Sequence, residues 1–209
     1  MASFQSSIFQ HLSGSFGNVT TYELDGKQVA RAKTFILKDQ KSLAQLKHRT
    51  KVRVISRLRR NFICVLSIGF CTISGKVAAN CFVKENIHRV EVDDELNVTM
   101  DLSGFQLSGG ELRLPLIEAE IDTGERRVVF RWEKQPLMPY MYKDDRLYGA
   151  VYESQLGRSR EIMLGERGVE GELAWNLPEE WKVSGLIVYG FAVRADGKKA
   201  SGTLGLART

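Results

Sequence analysis

Acidic residues are missing from a long stretch of this sequence. Between Gln40 and Lys84 there is no Asp or Glu, while ten Lys and Arg occur there, so a whole-chain charge of +5 leaves the other residues at −5. Segregation of this kind suits an anionic partner. It is equally served by cancellation inside the molecule, or across a self-association contact, through Glu91, Asp93, Asp94, Glu95 and Asp101. Cysteine is scarce: Cys64, Cys71 and Cys81 are odd in number and lack the two-residue spacing that converges paired thiolates on zinc, which speaks against both a zinc finger and a disulfide framework. Their apolar neighbours predict buried free thiols. His11, His48 and His88 lie far apart, and no GxSxG elbow, HExxH pair or Cys-His signature appears.

The glycines of GERGVEG, Gly165 to Gly171, fall between expected strands and read as a turn, without the helix start a nucleotide loop needs. Neither Asp144-Asp145 nor Asp93-Asp94-Glu95 has the pattern of a calcium loop. The reading is therefore of a non-enzyme with no metal and no cofactor. The most apolar run, Phe62 to Phe70, falls far short of the ~20 residues of a membrane-spanning helix. The N-terminus has neither the basic nor the apolar region of a secretory leader. The cytoplasm is the default compartment, with export by a non-standard route or incorporation into a larger particle left open.

What is present divides into two textures. Asn18 to Leu24 and Lys27 to Ala32 are short β-type runs joined by Asp25-Gly26, a pair suited to the positive φ angles of a type I′ turn, which predicts a hairpin. A helix is expected from a cap at Asp39 to Ser42, with Ile55, Leu58, Phe62, Val65 or Leu66, and Gly69 forming one buried stripe and a break near Arg59 to Asn61. A second helix is expected over Lys76 to Val90, with Val77, Cys81, Lys84 and His88 on one side. Asp93 to Leu114 alternates and reads as strands returning to pair with the hairpin. From Leu116 on, seven short runs separated by turn residues predict an antiparallel sandwich. The expected fold is an α+β part over 1–115, holding the basic helical pair, followed by an all-β sandwich over 116–209.

Within the second part, VVFRWEKQP at Val128 to Pro136 resembles the second strand of fibronectin type III domains. LPEEWKVSGLIVYGFAVRADGKKAS at Leu177 to Ser201 resembles that fold's Leu-Pro corner, aromatic strand and final turn. These together with SGSFGNVTTYELDGKQVARAK, LAQLKHR, SIGF, LSGGEL and FRW make the chain similar to an uncharacterised Bacteroidota family of roughly 200-residue proteins. That resemblance implies a fold plan and no activity, cofactor or catalytic residue.

Two sets of candidate site residues follow. Lys47, Arg49, Lys51, Arg53, Arg57, Arg59 and Arg60 could neutralise phosphates, giving salt-sensitive nucleic-acid binding, or form a solvated face opposite the acidic segment. PLMPYMYKDD places Leu137, Met138, Tyr140, Met141 and Tyr142 in a loop, where flexible Met and amphipathic Tyr suit a protein partner or self-association. Alternatively, those side chains fold back to plug the end of the sandwich. The first function expected is a non-catalytic interaction or assembly protein; the alternative is nucleic-acid binding through the basic helix.

Overall fold

The computed structural model describes residues 2–3, 12–33, 41–70 and 75–209. The expectations for Asp39 and Cys71 lie outside them. The chain forms two compact units, 1–41 and 42–209.

The first unit is a four-stranded antiparallel sheet of β1 (Ala2–Ser3), β2 (Gly14–Phe16), β3 (Val19–Leu24) and β4 (Lys27–Ala32), in the order β1-β4-β3-β2. Asp25 and Gly26 take φ of 50° and 73°, so the tight turn expected between β3 and β4 is present. Both strands match the expected runs almost to the residue.

The second unit contains α1 (Leu43–Leu58), a 3-10 turn (Arg59–Phe62), α2 (Ile63–Gly69) and α3 (Gly75–Asn86). Two short strands follow, β5 (Val90–Val92) and β6 (Val98–Met100). Then come β7 (Ile117–Asp122), β8 (Arg127–Trp132), β9 (Arg146–Glu153), β10 (Arg158–Glu166), β11 (Gly171–Asn176), β12 (Leu186–Val193) and β13 (Leu204–Arg208). The last seven strands form a four-stranded sheet, β10-β9-β12-β13, and a three-stranded sheet, β11-β8-β7, all antiparallel. Phe130, Leu147, Val151, Leu164, Leu186 and Val188 lie in one core between the two sheets.

The helices cover the other face of the four-stranded sheet. Ile55, Leu58, Phe62, Val65 and Leu66 pack with Tyr152, Ile187, Tyr189 and Phe191 in a second core. Every residue of β12 is consequently buried, and LIVYGFAV lacks the polar alternation of a half-exposed strand. The Phe62 ring is central, 4.5 Å from Tyr152 and about 6 Å from Phe82 and Tyr189.

The helix break falls where the sequence places it, and its cause is tertiary. The Ser159 hydroxyl donates to the Asn61 carbonyl, an acceptor that an unbroken helix offers to the amide four residues on. The Asn61 amide in turn donates to the Tyr152 hydroxyl.

Three expectations are corrected. The segment 93–114 does not return to the hairpin: β5 and β6 pair with each other, because Asp93 accepts from the Glu95 and Asn97 amides and folds the chain tightly back. The chain divides after Lys41, and residue 115 lies inside the second unit, where the helices bury their stripe against β9 and β12. Cys64 is exposed and Cys81 only partly buried. Ala78, Phe82 and Asn86 form the buried side of α3.

The sequence landmarks around LSGGEL converge. A Cβ at Gly69 would lie 2.3 Å from the Leu107 carbonyl, and one at Gly110 equally close to the Ala200 carbonyl, so only glycine permits this close approach. Thr203 Oγ1 accepts from the amides of Leu107 and Ser108, and Asn86 brackets Gln106 by both its carbonyl and its amide. The loop is thereby clamped between two helices and the approach to β13.

Candidate interaction surfaces

The basic helix begins at Ser42, whose hydroxyl accepts from the Gln45 amide. With Ile55 and Leu58 directed into the core, the 3.6-residue period sets Arg53, Arg57 and Arg60 on the outward face, where all three are exposed. These three make no ion pair among the described residues. The 1.5 Å rise per residue spaces Arg53 and Arg57 by about 6 Å along the axis. Lys47 behaves differently: its ammonium pairs with Asp94 of the acidic turn, so the internal cancellation read from the sequence is realised at one residue. Lys51 and Arg59 are half-buried, and Arg49 is exposed. Of the seven candidates, Arg53, Arg57 and Arg60 are exposed on one face, and Arg49 stands one turn before Arg53 on that face.

The second surface lies on the β8–β9 connection. Leu137, Met138, Tyr140 and Tyr142 are exposed, at 64%, 46%, 52% and 39%. Met141 is the exception: at 6% exposure it plugs inward and anchors the loop, a correction to its place among the partner residues. Leu114 and Leu116, also exposed, extend the patch, because the Arg113 amide donates to the Tyr140 carbonyl and the Gln135 side-chain amide to the Leu116 carbonyl. The Arg194 guanidinium lies 3.5 Å from the Tyr142 ring centroid, stacked on one face of that ring. Both readings of the loop are thus partly realised, one side chain plugging and four exposed.

Beneath this loop is a polar cluster that the sequence did not announce. Asp145, Arg167 and Gln135 are buried, and Arg167 Nε lies 3.5 Å from Asp145 Oδ2. Arg167 also donates to the Arg113 carbonyl, its amide donates to the Asp145 carbonyl, and its carbonyl accepts from the Gln135 amide. Asp145 accepts from the Tyr142 amide. Two connections that cross between the sheets, β8–β9 and β10–β11, and the chain before β7 are therefore tied together under the exposed side chains.

Burial pushes the Asp145 carboxyl above the usual carboxylate range, while the Tyr142 amide and the Arg167 and Arg194 charges pull it back. Burial lowers Arg167 from its ordinary value and Asp145 opposes that; the guanidinium stays charged at neutral pH. Four polar atoms here, Arg167 Nε and Nη1, Asp145 Oδ1 and Gln135 Oε1, make no hydrogen bond. The only sequence signal for the cluster was the pair of charges inside turns, Asp144-Asp145 and Glu166-Arg167.

Elsewhere, a cavity of about 370 Å³ is lined by Cys81, Glu85, Gln106 and Ser108. The Ser108 hydroxyl is hydrogen-bonded to the Thr203 hydroxyl at 2.8 Å. Among the described residues no three His, Cys, Asp or Glu side chains converge as a ligand set. No helix among them is long and apolar enough to cross a membrane. No family model, curated protein or solved structure matches this chain.

Proposed function

We propose that this chain is a non-catalytic protein-interaction or assembly protein, a member of the Bacteroidota family it resembles, with a fibronectin type III-like module as its C-terminal half. The observation that carries the reading is the apolar patch of Leu114, Leu116, Leu137, Met138, Tyr140 and Tyr142, exposed on a loop pinned by Met141 and the Asp145–Arg167 pair. Exposed contiguous apolar surface marks contact sites, and a pinned loop presents it without an ordering cost on binding. Tyr and Met are the residue types enriched at such contacts.

The fibronectin-type reading is supported by strand order. Taking β7 to β13 as the seven strands of that fold, one sheet has the first, second and fifth, and the other the fourth, third, sixth and seventh. Phe130 and Trp132 of the FRW landmark and Trp181 of LPEEW are buried in one core, which supports that reading. Sandwich domains of this type host unrelated functions, so the patch, not the fold, carries the proposal.

Size-exclusion chromatography with light scattering and pull-down from source-cell extract test it. Tyr140→Ser with Tyr142→Ser removes the two aromatic anchors and abolishes partner recovery while leaving the fold intact. Recovery of the same partner by this double variant refutes the assignment of the patch.

The second reading, nucleic-acid binding, draws on the unpaired stripe of Arg53, Arg57 and Arg60. On that reading, changing all three to Gln reduces the slope of log affinity against log salt by about 2 to 3, from counterion release per neutralised phosphate. Absence of any mobility shift at low salt ends it.

A further inference from the structure

In the sheet of the first unit β2 is an edge, and among the described residues no strand pairs with its outer side. A two-residue turn at Gly17-Asn18 closes β2 on β3, with Phe16 opposite Val19 and Gly14 opposite Thr21. In an antiparallel ladder the closing pair of such a turn exchanges both hydrogen bonds, and bonded pairs then alternate. Phe16 and Gly14 therefore bond inward, while Ser15 directs its N–H and C=O outward. This edge carries no charge, no proline and no bulge, the devices by which sheets discourage further pairing.

The side chains specify what fits it. Phe16 is 88% exposed, the most of any large hydrophobic residue described. Two residues away, Gly14 has a φ of 146°, and a Cβ built there meets nothing within 4 Å. Gly14, Thr21 and Ala30 stand in one row across three strands, on the face that also carries Phe16 and Val19. The row leaves an apolar groove of about 620 Å³, lined by Leu12, Gly14, Phe16, Val19, Thr21 and Ala30.

We propose that β2 pairs antiparallel with β2 of a second copy of this chain, about a two-fold axis passing beside Ser15. In this register the two Ser15 residues exchange their outward N–H and C=O groups. Phe16 of one protomer stands opposite Gly14 of its partner, and its ring covers the partner's groove. A bulky residue at one end of a three-residue strand and a side-chain-free residue at the other is a pattern that a two-fold antiparallel pair satisfies twice. The contact is isologous and closes at a dimer, joining two four-stranded sheets into one of eight. It deepens the assembly reading by naming a second copy as a partner, but uses residues other than those of the Tyr140 loop, so the two can fail independently.

The test is sedimentation velocity on the full chain carrying Cys64→Ser, which removes the thiol that is exposed among the described residues. The expected result is a concentration-dependent dimer. Phe16→Ala raises its dissociation constant on the order of a hundredfold or more, because two rings are released per dimer. Ser15→Pro removes the outward donor without touching the β2–β3 bonds and has the same effect, with circular dichroism unchanged. Should the proline variant misfold, Phe16→Ala alone decides. Ser15→Cys, mildly oxidised, gives a disulfide between the two position-15 thiols, since bonded antiparallel pairs hold Cα atoms about 5.5 Å apart, within disulfide reach. A monomer at every concentration, or a dimer indifferent to Phe16→Ala, overturns the proposal. So does a dimer lost instead through Tyr140→Ser with Tyr142→Ser.

Discussion

Asp145 and Arg167 allow a quantitative check on how the exposed loop is held. Both side chains are fully buried, and their closest N–O approach is 3.5 Å, long for a charge-assisted hydrogen bond. Removing one partner of a buried pair leaves an uncompensated charge, which costs about 3–5 kcal/mol. Asp145→Asn keeps an acceptor for the Tyr142 amide but strands the guanidinium, so its cost belongs in that range. At roughly 2–4 °C per kcal/mol for a chain of this size, the melting temperature falls by about 6–20 °C.

Arg167→Met strands the carboxylate instead, and a carboxylate escapes by taking up a proton. Its folded value already stands above the ordinary 3.8. A raised carboxyl contributes stability that is fully present below the unfolded value and is lost as pH rises through the folded one. Loss of the Arg167 charge raises the folded value further, so the deficit of Arg167→Met is smaller at pH 5 than at pH 7.5. The double variant removes both charges and recovers most of the loss, because apolar replacement of a buried pair is often neutral or stabilising. Thermal denaturation of the four proteins of the cycle at both pH values measures this. Additivity within about 0.5 kcal/mol would refute the reasoning, since uncoupled sites add to that accuracy.

Gly149→Ala sets a Cβ 2.6 Å from the Phe130 ring, and Gly171→Ala one 2.4 Å from the Trp132 indole; each is expected to cost about 1–3 kcal/mol by overpacking, read from the urea midpoint at unchanged slope. Asp93, Asp101 and Asp122 are held below the usual carboxylate range, chiefly by hydrogen bonds from Asn97, from Ser103 and from the Glu125 amide. Their contribution is present above the ordinary Asp value and is lost as pH falls through the lower folded ones. Acid titration followed by circular dichroism should show it, and Asp93→Asn should blunt that acid-side loss.

Local patterns were legible because local physics produces them. The three-to-four-residue recurrence from Ile55 to Gly69 predicted the buried stripe correctly, and Asp25-Gly26 predicted its turn, since both depend only on near neighbours. The turn residues from Leu116 on place strand starts at Leu116, Arg127, Arg146, Glu161, Gly171, Leu186 and Ala200; the first six fall within three residues of the observed starts, and the last strand begins at Leu204, because Ala200 and Ser201 form isolated bridges before it. The misreading of 93–114 has a cause of the same kind. Alternation was read as strands returning to the hairpin, whereas Leu96 takes a φ of 67° in the turn that pairs β5 with β6. The outward arginine stripe was visible as spacing, but the Lys47–Asp94 pair that removes Lys47 from it spans 47 positions.

The sequence by itself determined which segments become helix and strand, where they turn, and which face of each is apolar. Those properties follow from periodicity, caps and glycine, whose effects reach only a few residues. Tertiary structure alone decided that the helices cover the four-stranded sheet, that Met141 turns inward while Tyr140 and Tyr142 stay out, and that Asp145 meets Arg167. Each of these joins residues that nothing in their local spacing relates, because burial rewards any complementary apolar face and only the assembled layers settle which one is met.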